Sequence, residues 1–360
     1  MTPTPAAETA CTEEALAGLP NQPAVFVIHP RDGLPFLGRT TLLRRRMLRL
    51  LRSWKLAEVA ARVQYWLTAS RLEALLVLYE QARKHHPEDY LRVARLRMPA
   101  YVRVVLSHRF PRTTITSRLA GSRSLYFGPF RSRMAAEQFD SQFLDLFQIR
   151  RCPEDFEPSP SHPGCIYGEM NMCLRPCQAV VGDEEYASET ARVVEFLSTG
   201  GRSLLDTITA ARDRFSTELN FEEAARQHKR LEKIHDVLKL RDDLAAEIGS
   251  LSGVAVAPAL ASGAVDLRFL LGGCWLPAVR FGFEVVEGKP VSMDRRLRDI
   301  VSALEAPKLR IGERQEHLAL LARWYYASWR DGEWLPFDDL SAVPYRKMVN
   351  AIHRIAAQVG

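Results

Sequence analysis

The spacing of hydrophobic and polar positions changes several times along the chain. Up to about residue 105, short apolar runs bounded by turn residues are typical of strands, and apolar residues recurring every three or four positions are typical of helices. Turn residues at 30–33 separate the first two apolar runs, which predicts a β-hairpin. The predicted elements are strands at 24–29, 34–38 and 63–68 and helices at 41–56 and 72–85.

The remainder of the chain alternates between the same two patterns. A strand at 101–106 and a loop precede a helix around 134–147. The segment 152–177 is rich in proline, glycine and cysteine and has little apolar periodicity, so we expect it to need a metal or a covalent link in order to fold. Beyond it we predict helices over 184–240, strands at 253–257, 265–271 and 278–283, and a helical, aromatic tail from about 295.

This order of elements predicts an α+β fold in three ordered parts. They are an α/β domain, a region with a cysteine cluster and a helical hairpin, and a small C-terminal β/α domain. The predicted boundaries are a disordered lead at 1–19, the α/β domain at 20–105, a linker with the cysteines at 106–183, the helical region at 184–245 and the C-terminal domain at 246–360.

Composition is that of a globular protein and excludes a disordered or fibrous chain. Of the 360 residues, 47% are hydrophobic and 26% are charged. No apolar run approaches the roughly 18 residues that a membrane span needs, so no membrane partner is expected. Residues 1–19 are polar and acidic and lack the features of a signal peptide, which predicts a cytoplasmic protein.

The positive charge is unevenly distributed. The formal net charge is +6, and the stretch from 38 to 55 contains no acidic residue. Its basic residues are Arg39, Arg44, Arg45, Arg46, Arg49, Arg52 and Lys55. One interpretation is the solvated face of an amphipathic helix. The excess of one sign favours contact with phosphates.

Four of the six cysteines lie close together in the sequence. Cys152, Cys165, Cys173 and Cys177 are separated by 12, 7 and 3 residues. Four thiolates suit tetrahedral zinc or an iron–sulfur cluster, and the spacing alone does not decide between them. A third possibility is four reduced, unligated thiols.

Two groups of residues in the tail are assigned to structure. Glu313, Glu316 and His317 lie on one predicted helix and are interpreted as surface charges rather than metal ligands. The aromatic run at 324–334 is interpreted as packing on the predicted 250–285 sheet, with base stacking as the alternative.

Three local patterns, in one order, resemble the UvrC family of bacterial nucleotide-excision-repair nuclease subunits, including its short homologue Cho. The resemblance covers about residues 23–240 and is fainter in the strands that follow. The first pattern is similar to a GIY-YIG nuclease domain: Pro-Ala-Val-Phe at 23–26, Phe-Leu-Gly-Arg at 36–39 and Leu-Arg-Arg-Arg at 43–46.

The GIY-YIG resemblance implies a degenerate catalytic site. It assigns catalytic arginine positions to Arg46 and Arg39, but places the two signature tyrosines on Phe26 and Phe36. The metal-binding glutamate falls on Leu78 and the following asparagine on Tyr90. Leucine cannot bind Mg²⁺ or Mn²⁺, which need oxygen ligands. Glu80 is the nearest substitute, but it lies on another side of the helix.

The second pattern contains the cysteines. Tyr-Phe-Gly-Pro-Phe at 126–130, Pro-Gly-Cys-Ile-Tyr-Gly at 163–168 and Cys-Leu-Arg-Pro-Cys at 173–177 resemble the corresponding UvrC segments. The resemblance implies a 4Fe–4S cluster held by Cys152, Cys165, Cys173 and Cys177, with zinc as the alternative.

The third pattern, Leu-Asn-Phe-Glu-Glu-Ala-Ala at 219–225, resembles a UVR motif. Such a motif is a helical hairpin that pairs with a similar hairpin of UvrB. The implied partner contacts are Phe221, Glu222, Ala224, Ala225 and Leu231. His228 and Lys229 replace the usual Arg-Asp pair, a change that can alter partner preference.

Together these patterns predict a UvrC-like DNA-repair protein with a degenerate nuclease site, a UvrB-type partner and a structural cluster. Its expected DNA contacts are Arg44, Arg45, Arg49, Arg52 and Lys55. One alternative is an active Cho-type endonuclease that uses Mg²⁺ or Mn²⁺. Another is a redox-sensing iron–sulfur regulator that binds DNA.

Overall fold

The computed structural model describes residues 6–54, 56–121, 123–283, 285–286, 289–290, 292–308 and 310–359. The chain forms two compact units. Unit 1 contains residues 1–97, 251–309 and 316–360, and unit 2 contains 98–250 and 310–315. Unit 1 therefore combines chain segments that the sequence predicts as separate domains. Lys55, a predicted DNA contact, lies outside the described residues.

The first segment of unit 1 forms an antiparallel sheet covered by helices. Its elements are β1 (Ala7–Thr9), α1 (Glu13–Ala17), β2 (Ala24–Pro30), β3 (Phe36–Thr40), α2 (Leu43–Trp54), α3 (Leu56–Val59), β4 (Ala60–Leu67), α4 (Arg71–His85) and α5 (Tyr90–Val93). The strand order is β1-β4-β2-β3, with Phe26 opposite Gly38 on one side and Tyr65 on the other.

The apolar stripe of α2 explains its position. Leu43, Met47 and Leu50, spaced three or four residues apart, lie in one buried cluster with Leu16 of α1. The predicted disordered lead is therefore wrong where β1 and α1 form. Their local sequence is polar, and the order comes from the apolar surface that α2 and the sheet offer to Leu16.

Unit 2 contains a second antiparallel sheet and a helical region. Its elements are β5 (Ala100–Val105), β6 (Thr113–Thr116), β7 (Ser124–Phe130), α6 (Arg133–Leu144), α7 (Ile166–Glu169), a 3-10 turn (Pro176–Gln178), α8 (Asp183–Ser198), α9 (Arg202–Thr217), α10 (Phe221–Lys239) and β8 (Ala246–Glu247). The strand order is β6-β5-β7-β8. The loop predicted after residue 106 is wrong at β6 and β7, which form by pairing with β5 on its two sides.

The second segment of unit 1 forms another antiparallel sheet. Its elements are β9 (Ser252–Pro258), β10 (Ala264–Leu271), β11 (Cys274–Trp275), β12 (Val279–Gly282), β13 (Val285–Val286), β14 (Lys289–Pro290), α11 (Met293–Ser302), α12 (Ile311–Tyr325), β15 (Glu333–Phe337), a 3-10 turn (Leu340–Ala342) and α13 (Tyr345–Val359). The order is β11-β10-β9-β15, and β12 also pairs with β10. The predicted helical tail is interrupted by β15, which pairs with β9.

The antiparallel sheets and packed helices of the two units confirm the predicted α+β class. Within the described ranges, no helix combines the length and the apolar character needed to span a bilayer.

Candidate functional site

The two positions predicted for signature tyrosines lie side by side on neighbouring strands. Phe26 of β2 is 1% exposed and Phe36 of β3 is 38% exposed, with ring centroids 6.2 Å apart. A Cβ atom at position 38 would lie only 2.6 Å from Cζ of Phe26, which explains the glycine opposite this ring. The structure therefore brings the two positions together, and neither ring supplies a phenolic oxygen.

The two predicted catalytic arginines lie on different elements of unit 1. Arg46 is half-buried on α2, and Arg39 is exposed on β3. Burial, followed by the charges of Arg71 and Arg95, lowers the pKa of Arg39. Its guanidinium carbon lies 5.6 Å from the centroid of the Trp329 ring. Arg39 thus belongs to a wider basic surface that the sequence pattern did not reveal.

The remaining catalytic positions hold structural side chains. Leu78 is buried on α4. The hydroxyl of Tyr90 donates a 2.6 Å hydrogen bond to Oε1 of Glu316, and the hydroxyl of Tyr79 donates to Oε2 of the same carboxylate. Burial is the largest cause that raises the pKa of Tyr79, followed by this hydrogen bond. These phenols are therefore held by a carboxylate in the interior of unit 1.

Acidic groups near α4 are also engaged inside unit 1. Glu73 and Arg268 are both buried, with Arg268 Nη2 lying 3.7 Å from Oε1 of Glu73. The second carboxylate oxygen of Glu73 accepts a 2.9 Å hydrogen bond from the amide of Ala69 at the start of α4. Glu80, the suggested substitute ligand, is half-buried, and burial is the largest cause that raises its pKa.

The interpretation of Glu316 and His317 as surface charges is wrong, because both side chains are buried. The amide of Trp275 donates a 3.0 Å hydrogen bond to Nδ1 of His317. A signal was present in the sequence: both residues directly precede the apolar run at 318–322. Among the residues that the structure describes, no group of three or more His, Cys, Asp or Glu side chains is arranged to hold a metal ion.

Helix α2 presents a basic surface groove. Arg44, Arg45, Arg49 and Arg52 line it together with Leu48 and Ser53, and we call these six residues the arginine groove. At its far end, Nη2 of Arg52 lies 4.0 Å from Oε1 of Glu13, and both side chains are well exposed. Such an exposed pair is worth little. The groove therefore remains a cationic surface.

The four predicted cysteine ligands line one small pocket in unit 2. Cys173 and Cys177 are buried, and Cys152 and Cys165 are half-buried. The amide of Arg175 donates to Sγ of Cys173 at 3.4 Å. Burial is the largest cause that raises the pKa of Cys173 to about 11; the hydrogen bond from Arg175 lowers it, and the other three cysteines raise it further.

A buried arginine supports the same pocket. Arg150 donates from Nε to the carbonyl of Phe110 (2.9 Å) and from Nη1 to the carbonyl of Glu154 (2.7 Å). Nη1 of Arg150 also lies 3.9 Å from Sγ of Cys152. A fixed positive charge thus faces the sulfur atoms, which favours a negatively charged occupant.

The residues predicted as a UVR motif lie where α9 ends and α10 begins, and these two helices pack against each other as a hairpin. The side chain of Asn220 caps α10 by accepting a 3.3 Å hydrogen bond from the amide of Glu223. Phe221 is 65% exposed, Ala225 is exposed and Ala224 is half-buried. Glu222 pairs with Arg226 at 3.1 Å. The hairpin therefore ends in an exposed apolar tip with a charged border.

Leu231 differs from the other predicted partner contacts. It is 5% exposed and lies in the core of unit 2 with Ile234 and Val237. Leu231 therefore anchors α10 to the core of unit 2. It is not exposed to contact a partner, contrary to the prediction from the sequence.

The family model of the UvrC/Cho excinuclease middle domain matches residues 100–196. The UvrABC system protein C of Lachnospira eligens is 24% identical over 286 residues, which cover 77% of this chain and 47% of the relative. That of Moorella thermoacetica is 28% identical over 244 residues, covering 66% and 40%. That of Alcanivorax borkumensis is 29% identical over 175 residues, covering 49% and 29%.

This chain therefore spans less than half the length of each of these three relatives. No solved structure matches it.

Proposed function

This chain belongs to the UvrC family, and from that premise we propose that it is a DNA-binding protein of nucleotide excision repair whose nuclease site is degenerate. One observation carries the proposal. The positions that would supply a phenolic oxygen and a metal ligand hold Phe26, Phe36 and Leu78, while α2 of the same unit presents a basic groove.

The chemistry of strand cleavage shows why this observation matters. A GIY-YIG nuclease needs an oxygen that handles the proton of the attacking water and a carboxylate that holds a divalent metal on the phosphate. The phenylalanine rings have no oxygen, and the buried Leu78 cannot bind a hard cation. Arg46 alone can stabilise phosphate charge but cannot activate water.

The arginine groove provides the DNA-binding surface in this proposal. Guanidinium groups bind phosphates through paired, charge-assisted hydrogen bonds, and such contacts do not read sequence. Each phosphate contact releases condensed counterions, so the logarithm of affinity falls by about 0.9 per contact for each tenfold rise in salt. Engagement of Arg44, Arg45, Arg49 and Arg52 predicts a slope of about −3.6 from this surface.

The cysteine pocket would hold a 4Fe–4S cluster through Cys152, Cys165, Cys173 and Cys177. Four thiols that line one pocket, a backbone amide donating to Cys173 and the positive charge of Arg150 near Cys152 support this proposal. Since the described side chains are not arranged to hold a metal ion, the thiols would have to move closer together around the cluster. When bound, such a cluster supplies four metal–sulfur links across a segment with few apolar residues. Arg150 orients the chain before Cys152 and keeps a charge beside it. Zinc fits the same donor set.

The hairpin tip would bind a UvrB-type partner hairpin. Phe221 and Ala225 form an exposed apolar surface, and the acidic residues beside it define which charges a partner must carry. Because Leu231 is committed to the core of unit 2, the docking surface is confined to the tip.

An incision assay tests the proposed degenerate site. Anaerobically purified protein is incubated with an end-labelled damaged duplex, Mg²⁺ or Mn²⁺, and the cognate UvrA and UvrB, beside an Arg46→Ala variant. We expect no cleavage and retained binding to DNA or UvrB. A metal-dependent nick that disappears in Arg46→Ala would instead identify a Cho-type endonuclease.

A further inference from the structure

Five arginines of unit 1 that come from separate elements lie within electrostatic range of one another, and two of them lie over one tryptophan. Arg39 lies on β3, Arg71 begins α4, Arg95 and Arg97 follow α5, and Arg323 lies on α12. The guanidinium carbons of Arg39 and Arg71 are each 5.6 Å from the centroid of the Trp329 ring. We call these five arginines and Trp329 the arginine–tryptophan patch.

The positive charges of this patch are not neutralised. Elsewhere in unit 1, exposed arginines pair with acids, as Arg92 does with Asp89, Arg298 with Asp294 and Arg354 with Glu333. Within the part of the chain that the structure describes, no ion pair joins a patch arginine to a carboxylate.

Mutual repulsion inside the patch lowers the pKa values of two of its arginines. Burial is the largest cause that lowers the pKa of Arg323, and the charges of Arg39, Arg95 and Arg97 lower it further. The same order of causes, with Arg71 and Arg95 as the charges, lowers the pKa of Arg39. Like charges held this close are unfavourable unless an anion binds among them.

The patch is held in place before any ligand arrives. Nη1 of the half-buried Arg323 donates to the carbonyls of Ala94 (2.6 Å) and Arg95 (2.7 Å). These bonds fix the backbone at Arg95, which has a left-handed φ of 52°. A rigid arrangement of this kind loses little entropy when it binds.

The other side of the patch is fixed through Asp331. Its carboxylate accepts a 2.6 Å hydrogen bond from the amide of Arg71 and a 3.2 Å hydrogen bond from Nε1 of Trp324. The indole of Trp329 attracts the two neighbouring guanidinium groups through its ring face. Trp329 is therefore a positioning residue that sets the spacing of Arg39 and Arg71.

From this geometry we infer that the arginine–tryptophan patch binds the phosphodiester backbone of duplex DNA, as a second contact surface besides the arginine groove. The inference rests on the proposed DNA-binding function and adds residues from the C-terminal segment to it. Four of the five guanidinium groups are exposed and match a run of phosphates. The neighbouring carboxylate of Asp331 is already engaged by the amide of Arg71 and by Nε1 of Trp324, so it is not offered to base edges.

The test is fluorescence anisotropy with a labelled 30-base-pair duplex, using the full chain over a range of salt concentrations. Arg71→Gln/Arg95→Gln removes two patch charges, and Arg45→Gln/Arg49→Gln removes two groove charges. Arg298→Gln/Arg354→Gln is the matched control, since it removes two paired charges from the same unit. We expect the patch variant to weaken binding and to reduce the salt slope by about two, with little change in the control.

Variants of Trp329 test the patch without changing its charge. Trp329→Leu is expected to lower affinity several-fold, and Trp329→Phe, which keeps an aromatic face, to retain most of it. Melting temperatures establish that each variant is folded. If the double patch variant melts early, Arg97→Gln replaces it, because that side chain is exposed.

The outcomes separate the two proposals. If the patch variant binds like the control while the groove variant is weakened, the patch inference is overturned and the proposed function stands. If the patch variant alone is weakened, the inference stands and the groove loses its assigned role. If the unmodified protein shows no salt-dependent binding, both are overturned.

Discussion

The rings of Phe26 and Phe36 lie on adjacent strands with centroids 6.2 Å apart and ring planes inclined by 40°. The strands, their register and the glycine beneath Phe26 are all in place. Phenylalanine retains the packing of a tyrosine ring and lacks only its oxygen, so the proposed loss of nuclease chemistry is compatible with an intact sheet.

The two rings predict unequal responses to restoring tyrosine. Phe26→Tyr adds a hydroxyl to a ring that is fully packed against Gly38, so we expect a loss of about 1–3 kcal/mol in the free energy of unfolding. Phe36→Tyr places its hydroxyl near solvent and should be close to neutral. Urea unfolding measures both.

The variant carrying both tyrosines is expected to remain inactive in the incision assay, because position 78 still lacks an oxygen ligand. Cleavage by the Phe26→Tyr/Phe36→Tyr variant would show that metal is held by another group.

Asp140 makes the stability of unit 2 depend on pH. Its Oδ2 accepts a 3.2 Å hydrogen bond from Thr113, while Oδ1 is buried and finds no hydrogen-bond partner among the described residues. Burial raises the pKa of Asp140 to about 6. Between the unfolded pKa, about 3.9, and this value, the folded state holds a proton that the unfolded state has released, so stability falls as the pH rises.

Asp140→Asn is therefore expected to remove this dependence and to raise the free energy of unfolding at pH 7.5 by about 1–3 kcal/mol. Denaturant unfolding at several pH values between 4 and 8 measures the effect. Asp206→Asn, which changes an exposed carboxylate in the same unit, is the control. Equal pH profiles for Asp140→Asn and the unmodified protein would contradict the assignment.

The cysteine pocket predicts a metal content that depends on its own thiols. Anaerobically purified protein should contain iron and sulfide and absorb visible light. Cys165→Ser/Cys177→Ser should lose the metal and melt at a lower temperature, because 152–177 has little else to fold around. Cys274→Ala removes a buried thiol outside the pocket and should keep the metal.

Elemental analysis distinguishes the possible occupants of this pocket. Protein that contains zinc and shows no visible absorbance would identify zinc, not an iron–sulfur cluster, as the occupant. Protein free of both metals under anaerobic conditions would contradict the proposed cofactor.

Different residues of α10 are expected to determine partner binding and stability. Phe221→Ala should weaken the complex with a UvrB-type hairpin and leave the melting temperature unchanged, because this ring is 65% exposed. Leu231→Ala should cost about 2–5 kcal/mol of stability, because it empties a place in the core. Calorimetric titration and thermal unfolding measure the two effects. A loss of stability in Phe221→Ala would show that this ring packs within the folded chain, which would contradict the proposal that the tip is free to bind a partner.

Elements with a strong local pattern were predictable from the sequence. The hairpin of β2 and β3, the apolar stripe of α2 and the apolar run of α4 could be identified because each pattern lies within a short stretch of sequence. Helix α1 and strand β15 could not, since each depends on a partner surface formed elsewhere in the chain.

The candidate site shows the same division. The arginines of α2 were visible as a charge run, and the cysteines as a spaced set. Glu316 was misassigned because its burial depends on Tyr79 and Tyr90, more than 200 residues away in the sequence. The arginine–tryptophan patch was invisible for the same reason, since Arg39 and Arg323 come together only in the folded unit.

The discontinuity of unit 1 has a consequence for how the chain is made. Its first segment ends at residue 97 and its second begins at residue 251, so unit 2 leaves the ribosome between them. At roughly 5–20 residues per second, synthesis of the intervening chain takes about 8–30 s. During that time α4 has emerged with Glu73 but without Arg268, its buried ion-pair partner. All of unit 2 except residues 310–315 is therefore synthesised before the second segment of unit 1, and the buried ion pair of unit 1 cannot form until residue 268 has been made.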